Sequence, residues 1–310
     1  MNVDRDVPRS LIAGLAQACR IPEDRLAEID LRVQLPNASP SSFLPVVRQE
    51  ANSSERSRIS IPSCHVCFWE CENKGTSPYW KMEWTLALVS RCSKHLVLLS
   101  ECCHHCFLGG LALVAHPKHR GLVARCTVCF RAVTSNSRSD PAITRYRTPL
   151  VASLGQALVS AYHGLAPDPM WLGPLNATTF LSVVDDLIWM FLDGNLRHGF
   201  PLIDDCAPAA RCEMPVRRAR RRHLPLNLFF VRERELVVAA IAVALLGSRI
   251  TKWFDIRTPL PVPVSELDSY PFSFVRWPPR REGRSETAER INRWPATLRE
   301  RALRHLPPSV

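Results

Sequence analysis

The sequence predicts a mainly α-helical protein with a small amount of β structure. Two observations support this fold class. Apolar residues recur with helical spacing in several stretches, and cysteine and histidine residues are concentrated in one block between Cys64 and Cys129. The first observation predicts packed helices on both sides of the block, and the second predicts small, loop-rich modules within it. With 310 residues, 46% of them hydrophobic and 22% charged, the composition is that of a globular protein.

The N-terminal stretch from Pro8 to Leu31 predicts two short helices. Apolar residues share one helical face up to Cys19, and a second helix follows a proline-containing break at 20–22. This arrangement is typical of a helix-turn-helix, which binds DNA in some proteins and is an ordinary packed hairpin in others. Pro36 to Arg58 is rich in Ser, Asn and Pro and predicts a loop or linker. Residues 1–60 are therefore interpreted as a helix-turn-helix-like region with a linker.

Residues 136–310 predict a helical C-terminal half. Leu150 to Ala161 carries one apolar helical stripe, and a second helix is predicted to begin at Thr178 or Thr179 and to end at Gly194. These stripes favour a packed core over a cofactor site.

Two further elements are predicted nearer the C-terminus. The run from Leu236 to Leu246 is apolar throughout. Because it is too short to cross a bilayer, it predicts a buried helix and no membrane association. The tail from Ser285 to His305 predicts two short helices divided by Pro295.

The positive charge is concentrated near the C-terminus. The net charge is +11, and the stretch from Arg211 to Val310 holds twenty Lys or Arg against ten Asp or Glu. Arginine bonds two phosphate oxygens at once, so this excess predicts a nucleic-acid-binding surface, with a solvated basic surface as the alternative. Pro215 and Pro225 flank the densest run and favour an exposed arm. The predicted nucleic-acid-binding residues are Arg217, Arg218, Arg220, Arg221, Arg222, Arg280, Arg281 and Arg284.

Residues 61–135 contain four pairs of potential metal ligands. Each pair has two intervening residues, the spacing of a zinc knuckle, in which a tight turn directs both side chains at one ion. Because tetrahedral zinc takes four ligands, four pairs predict two structural Zn²⁺ ions in two small zinc-ribbon or zinc-knuckle modules. The pairs are Cys64 with Cys67, Cys92 with His95, Cys103 with Cys106, and Cys126 with Cys129.

The order of the pairs favours a first site of three cysteines and one histidine and a second site of four cysteines. An interleaved arrangement stays open, and Cys102 is an alternative to Cys103. Four protein ligands leave no coordination position for a substrate, so the ions are expected to stabilise the fold and not to catalyse. Other potential donors nearby are Cys71, His65, His104, His105, His116 and His119.

The sequence does not predict an enzyme. It has no Gly-x-x-x-x-Gly-Lys loop for a nucleotide, and it lacks the His-x-Glu and Pro-Cys-x-x-Cys elements of zinc deaminases. Asp185 and Asp186 are adjacent, so on a helix they point about 100° apart, which is poor geometry for sharing one metal. The sequence begins without a secretory signal pattern, and thiols in metal-ligand spacing suit a reducing compartment, so a cytoplasmic location is expected.

The stretch from Pro62 to Val133 resembles the TniQ family of transposition target-selection proteins. That family has a Cys-x-x-Cys, an aromatic segment ending in Trp, a Cys-Pro-x-His, a Leu-rich turn, a Cys-Pro-x-Cys and a final Cys-x-x-Cys. Here the four ligand pairs match in that order, with Tyr79 to Trp84 as the aromatic segment and Leu98 and Leu99 as the Leu-rich turn. The predicted N-terminal helical pair lies where the family begins with a helix-turn-helix region, so the resemblance covers roughly the first half of the chain.

The resemblance implies a DNA-binding adaptor in a bacterial cytoplasm, associated with the nucleoid. Such an adaptor recognises a transposition target and recruits partner proteins, among them an ATPase regulator. A homodimer is an open alternative for the oligomeric state. The alternative function is a zinc-dependent protein-interaction adaptor that does not contact DNA directly.

The chain departs from the family pattern within the knuckles. The Pro that usually follows the first Cys is absent, and Phe68, Phe107 and Phe130 replace the Gly that often follows the second Cys. Gly adopts a positive φ most easily, so the knuckle turns are expected to be distorted.

Overall fold

The computed structural model describes residues 9–28, 30–44, 61–103, 105–106, 110–115, 121–132, 147–193, 226–228, 231–247 and 288–304. Within these ranges the fold is mainly α-helical with one two-stranded antiparallel sheet, which confirms the predicted fold class at this level. None of the helices in these ranges is long and apolar enough to cross a membrane. The helices are α1 (Arg9–Cys19), α2 (Glu23–Ala27), α3 (Leu31–Gln34), α4 (His65–Asn73), α5 (Arg147–Tyr162), α6 (Ala177–Asp193), α7 (Val231–Leu246) and α8 (Ala296–Leu303), and the strands are β1 (Leu111–Ala115) and β2 (Leu122–Cys126).

The N-terminal helices α1 and α2 are separated at the predicted break. Arg20 adopts a left-handed conformation with φ 55°, and the backbone N–H of Ile21 donates to the Ala16 carbonyl at 3.1 Å, which ends α1. Leu11 and Leu15 on α1 are 41% and 45% exposed, so much of its apolar face is open to solvent. That these helices bind DNA stays a prediction.

Three helices form the largest part of the core. α7 is buried from Arg234 to its end and packs against α5 and α6. The predicted buried helix at Leu236 to Leu246 is confirmed, and it begins five residues earlier than expected. From Leu236 to Leu246 the helix is apolar on every side, and such a segment is stable only when neighbours surround it, which explains its central place.

The start of α6 differs from the prediction. The helix begins at Ala177, and the Asn176 side chain caps it by accepting the Thr179 N–H at 2.8 Å. Asn is among the best N-cap residues, and Asn176 is the N-cap of α6 in place of Thr178 or Thr179. Gly194, the predicted C-cap, lies outside the described residues.

Part of the predicted linker is packed structure. The N–H of Leu44 donates to the Thr85 carbonyl at 2.8 Å, and Phe43 forms a β-bridge with Leu86. Phe43 and Leu44 are buried, because apolar side chains among the serines and prolines have a core to enter. One hydrophobic cluster therefore continues from Leu35 through the cysteine block and α5 to α7 as far as Ala302.

Asp186 attaches the C-terminal helices to α6. Its carboxylate accepts hydrogen bonds from Arg290 Nη1 at 2.8 Å and from Trp294 Nε1 at 3.0 Å, and the Asp186 side chain is buried. The Arg290 guanidinium also lies over the Trp189 ring, 4.6 Å from its centroid. Pro295 separates the helical residues 288–292 from α8 as predicted. Asp186 therefore has a structural role.

The substitution Asp186→Ala is expected to lower the free energy of unfolding by about 2–3 kcal/mol, because it removes the carboxylate that accepts from the buried Trp294 indole and the half-buried Arg290 guanidinium. Amide hydrogen exchange should increase most in residues 288–304. Asp185→Ala is the control. Asp185 is exposed as a residue, yet desolvation of its carboxyl raises its pKa to about 6, so its charge does not favour folding. Equal effects of the two substitutions would contradict the assigned role of Asp186.

Candidate metal centres

The first ligand cluster, site 1, lies at the start of α4. Cys64 caps the helix, and its Sγ accepts the backbone N–H of Cys67 at 3.4 Å. The turn from Cys92 to His95 supplies the other two donors. The four ligand atoms lie within 4.8 Å of one another, with 3.7 Å between the sulfurs of Cys67 and Cys92. His95 Nδ1 lies 3.3, 3.4 and 3.7 Å from the sulfurs of Cys67, Cys64 and Cys92.

The second cluster, site 2, is built on the β1–β2 hairpin. Cys126 ends β2 opposite Leu111, and Cys129 lies in the turn that follows. The sulfurs of Cys103 and Cys129 are 3.7 Å apart, and those of Cys106 and Cys126 are 3.5 Å apart. All four ligand atoms lie within 4.8 Å of one another, so the cluster can hold a second metal ion.

The two clusters follow the order of the chain and are not interleaved. Cys103, and not Cys102, lies in site 2, and Cys71 belongs to neither cluster. Cys102 is half-buried, and burial raises the pKa of its thiol. The exposed His105 contributes its backbone N–H, which donates to the Cys103 sulfur at 3.3 Å.

The knuckle of site 1 is the tip of a small hairpin closed by the bridge between Arg91 and Leu98. The Cys92 N–H donates to the Val97 carbonyl at 2.9 Å, and the Leu96 N–H donates to the Cys92 carbonyl at 2.9 Å. These two bonds fold the four residues between Cys92 and Val97 into a tight turn, which directs the Cys92 and His95 side chains to the same side.

Site 2 repeats this turn. The Cys126 N–H donates to the Arg131 carbonyl at 3.0 Å, and the Phe130 N–H donates to the Cys126 carbonyl at 3.2 Å. The N–H groups of Val128 and Cys129 donate to the Cys126 sulfur at 3.3 and 3.4 Å. These N–H groups fix the position of the Cys126 sulfur, which is one of the four ligand atoms of site 2.

The residue after the second ligand takes a left-handed conformation in both of these turns. Leu96 has φ 57° and Phe130 has φ 58°, so each adopts the geometry that Gly would relax. Phe68 does not, because the first ligand pair opens α4 and Phe68 lies inside the helix. Phe107 lies outside the described residues. The sequence predicted distorted turns. In these two turns the hairpin hydrogen bonds are kept, and the lack of Gly appears instead as backbone strain at Leu96 and Phe130.

The substitution Phe130→Gly is expected to raise the free energy of unfolding by on the order of 1 kcal/mol, because a non-glycine residue in this conformation is strained. The ring is 71% exposed, so little burial is lost. Urea unfolding of the metal-loaded protein measures the change. Val128→Gly, in the same turn but without a positive φ, should instead destabilise. Stabilisation by both substitutions, or by neither, would contradict the strain.

Crowding changes the proton affinity of the thiols. In site 1, the hydrogen bond with Cys67 and the burial of the thiol raise the pKa of Cys64, whereas hydrogen bonds from Cys64 and Cys67 lower the pKa of Cys92. In site 2, burial raises the pKa of Cys103 to about 12. Ionisation of Cys64 and Cys103 is therefore unfavourable without a compensating cation, and metal binding is expected to release protons.

Glu70 supports the histidine ligand and was not predicted from the sequence. It lies on α4 one turn after Cys67, and its Oε1 is 3.0 Å from His95 Nε2. Nδ1 of His95 faces the three sulfurs, so the carboxylate fixes the ring tautomer by accepting the Nε2 proton. Lys94 also donates to Glu70. One feature of the sequence could have indicated this role: Glu70 follows the ligand Cys67 by three residues, a spacing that places both on the same side of a helix.

The substitution Glu70→Ala is expected to weaken metal binding at site 1 by about 10- to 100-fold, because the imidazole loses the group that orients it. Competition with a chromophoric chelator measures the affinity, and site 2 should be unchanged. The matched control is Lys94→Gln, which removes the Glu70–Lys94 ion pair and keeps the His95–Glu70 contact. If Lys94→Gln weakened binding as much as Glu70→Ala, the ion pair and not the imidazole contact would be responsible.

All eight predicted nucleic-acid-binding arginines lie outside the described residues, as do His104, His116 and His119. The aromatic segment is described. Trp84 is fully buried and its ring centroid lies 5.7 Å from that of Phe68, whereas Tyr79 is 62% exposed. Trp84 and Phe68 therefore pack together inside the metal block and belong to the common hydrophobic cluster.

The chain matches no family model, and neither the curated proteins nor the solved structures contain a match to it. The resemblance of residues 62–133 to the TniQ family therefore depends on the order and spacing of its own ligand pairs.

Proposed function

We propose that this protein is a zinc-stabilised, DNA-binding adaptor that selects a target site in DNA transposition and recruits partner proteins there. The observation that carries the proposal is the arrangement of the eight ligands. Two closed four-donor clusters stand in the ligand order of the TniQ family, and each has its pairs adjacent in sequence.

The donor geometry supports zinc as the metal. A tetrahedral ion bound by sulfur at about 2.3 Å places its sulfur ligands about 3.8 Å apart. The sulfur–sulfur distances are 3.7 Å in site 1 and 3.7 and 3.5 Å in site 2. A disulfide would require about 2.05 Å, and the cysteines of both clusters are free thiols. Thiolate and imidazole donors in this geometry are those of structural zinc sites.

The closed clusters support a binding role over catalysis. Four protein donors complete a tetrahedron, so a zinc ion in either site would have no position for a reactive water. The net charge of +11 supports nucleic acid as the partner, because Lys and Arg that neutralise phosphates release counterions from DNA.

Metal content tests the zinc part of the proposal. Elemental analysis of the purified protein is expected to give two zinc ions per chain, and one in each of the variants Cys64→Ser and Cys126→Ser. No bound metal in the wild type would refute it.

Salt dependence tests the DNA part of the proposal. Duplex affinity is expected to fall steeply between about 50 and about 200 mM salt, since each neutralised phosphate adds about 0.9 to the slope of log affinity against log salt concentration. Affinity independent of salt would exclude electrostatic binding to DNA.

A second candidate function is a protein-interaction adaptor that does not contact DNA. The apolar residues exposed at the N-terminal helices favour it, with Leu15 and Val33 45% and 61% exposed. This candidate predicts binding to a purified transposition ATPase that survives nuclease treatment, together with no shift of duplex DNA in a gel. A DNA shift by the protein alone would favour the first function.

A further inference from the structure

Phe130 at the tip of site 2 contributes little to folding. Its ring is 71% exposed, and neighbouring Val128 is 50% exposed. The Phe130 backbone is held at φ 58°, where a side chain adds strain. A large aromatic group that is strained and unburied is poorly explained by packing, and exposed apolar groups of this kind commonly mark a contact surface.

The sequence around this tip is basic. Arg131 follows Phe130 and is exposed, and Arg125 Nη1 donates to the Phe130 carbonyl at 3.3 Å, which holds the tip in place. Residues 102–139 contain no Asp or Glu. The Lys and Arg residues in that range are Lys118, Arg120, Arg125, Arg131 and Arg138. An aromatic ring within a basic segment complements a phosphate-bearing partner whose bases can stack.

The equivalent tip of site 1 has different chemistry. Leu96 occupies the position of Phe130 and is aliphatic, and Lys94 in the same turn is paired with Glu70. Ser93 donates to Glu83 at 3.0 Å, so carboxylates border this turn. The two knuckles have the same backbone conformation, but an exposed aromatic ring next to an exposed arginine occurs at the site 2 turn and not at the site 1 turn.

We propose that the tip of site 2 binds DNA at an unpaired nucleotide, with the Phe130 ring stacked on the base and the Arg131 guanidinium on a neighbouring phosphate. The inference rests on the proposed DNA-binding function and specifies its surface. In an intact duplex, neighbouring bases cover both faces of each base. One projecting ring can therefore stack fully only on an unpaired base whose face is open. Phosphate contact by Arg131 is independent of sequence.

The test compares two fluorescent probes of equal length and sequence, one a fully paired duplex and one with a short single-stranded gap. Wild type is expected to bind the gapped probe about tenfold more tightly than the paired one, the scale of one base–aromatic stack. Phe130→Ala should abolish this preference and keep the affinity for the paired duplex, whereas Phe130→Tyr should retain it. Arg131→Ala should reduce the salt slope on the gapped probe by about 0.7.

Tyr79→Ala is the matched control, because Tyr79 is an aromatic residue of the metal block that is 62% exposed and does not belong to the site 2 turn. It should leave the preference unchanged, and the zinc content of every variant should equal that of wild type. If wild type prefers the gapped probe and Phe130→Ala does too, the inference is wrong while DNA binding stands. A wild type that binds both probes equally also overturns it, and binding to neither probe overturns the proposed function itself.

Discussion

Removal of the metal is expected to unfold the protein well beyond the cysteine block. Structural zinc sites have apparent binding free energies of about 10–16 kcal/mol, and whole domains are stable by only about 5–15 kcal/mol. Trp84 and Leu86 of the metal block belong to the same hydrophobic cluster as Leu154 of α5 and Val237 of α7. Loss of the block should therefore expose the faces that these helices bury against it.

Circular dichroism during thermal unfolding, with and without a zinc chelator, measures this effect. The chelated protein is expected to lose most of its cooperative transition and much of its helical signal, and added zinc should restore both. Cys126→Ser should reproduce part of the loss. Cys19→Ser, an exposed cysteine of α1 outside both clusters, should not change the transition. A helical signal and transition unaffected by chelation would mean that the helical half folds independently of the metal.

The ligand clusters were the part of the protein most accessible from sequence. Two intervening residues between Cys64 and Cys67, or between Cys126 and Cys129, place both side chains on one side of a local turn, so spacing alone indicates a shared ion. The helical stripes of α5 and α6 are equally local, since residues three and four apart share a helix face. The sequence also shows that Phe130 stands where the knuckle pattern often has Gly. The consequence is backbone strain and not a distorted turn.

Contacts between distant segments could not be predicted. Glu70 reaches His95 across 25 positions, and Arg91 reaches Glu235 across 144. No periodicity links residues so far apart. The first contact depends on how the metal block folds around site 1, and the second on how that block packs on α7. The start of α6 at Asn176 is a different case. Asn176, Thr178 and Thr179 are all acceptable caps, and the local preference for Asn over Thr agrees with the observed start.

Arg91→Met is expected to lower the free energy of unfolding of the metal-loaded protein by about 3–5 kcal/mol. Arg91 Nε donates to Glu235 Oε1 of α7 at 2.5 Å, and the two side chains are 1% and 4% exposed. A buried carboxylate that loses its arginine keeps its desolvation cost without the attraction that offset it. Arg91 Nη1 also donates to the Leu96 carbonyl at 2.8 Å, so the substitution loosens the knuckle turn of site 1.

The double variant Arg91→Met, Glu235→Leu separates these contributions, because it removes both charges and replaces them with apolar groups of similar volume. It should recover most of the loss, as buried ion pairs replaced by apolar residues often do. Denaturant unfolding of the wild type, the two single variants and the double variant gives the coupling free energy. A double variant as unstable as the sum of the single variants would mean that Arg91 acts mainly through the knuckle turn.

A matching pair lies beside site 2, where Arg234 of α7 donates to Glu101 Oε1 at 3.0 Å and to the Ala87 carbonyl at 2.5 Å. Glu101 Oε2 also accepts the Val231 N–H at 3.0 Å. Arg91 immediately precedes a site 1 ligand, and Glu101 lies two residues before a site 2 ligand. The first two turns of α7 thus contact the residues that lead into both clusters.

Arg91→Met should therefore weaken zinc binding at site 1 and also lower the stability of the fold. A loss of stability without a change in zinc affinity would show that the helix and the metal site are uncoupled.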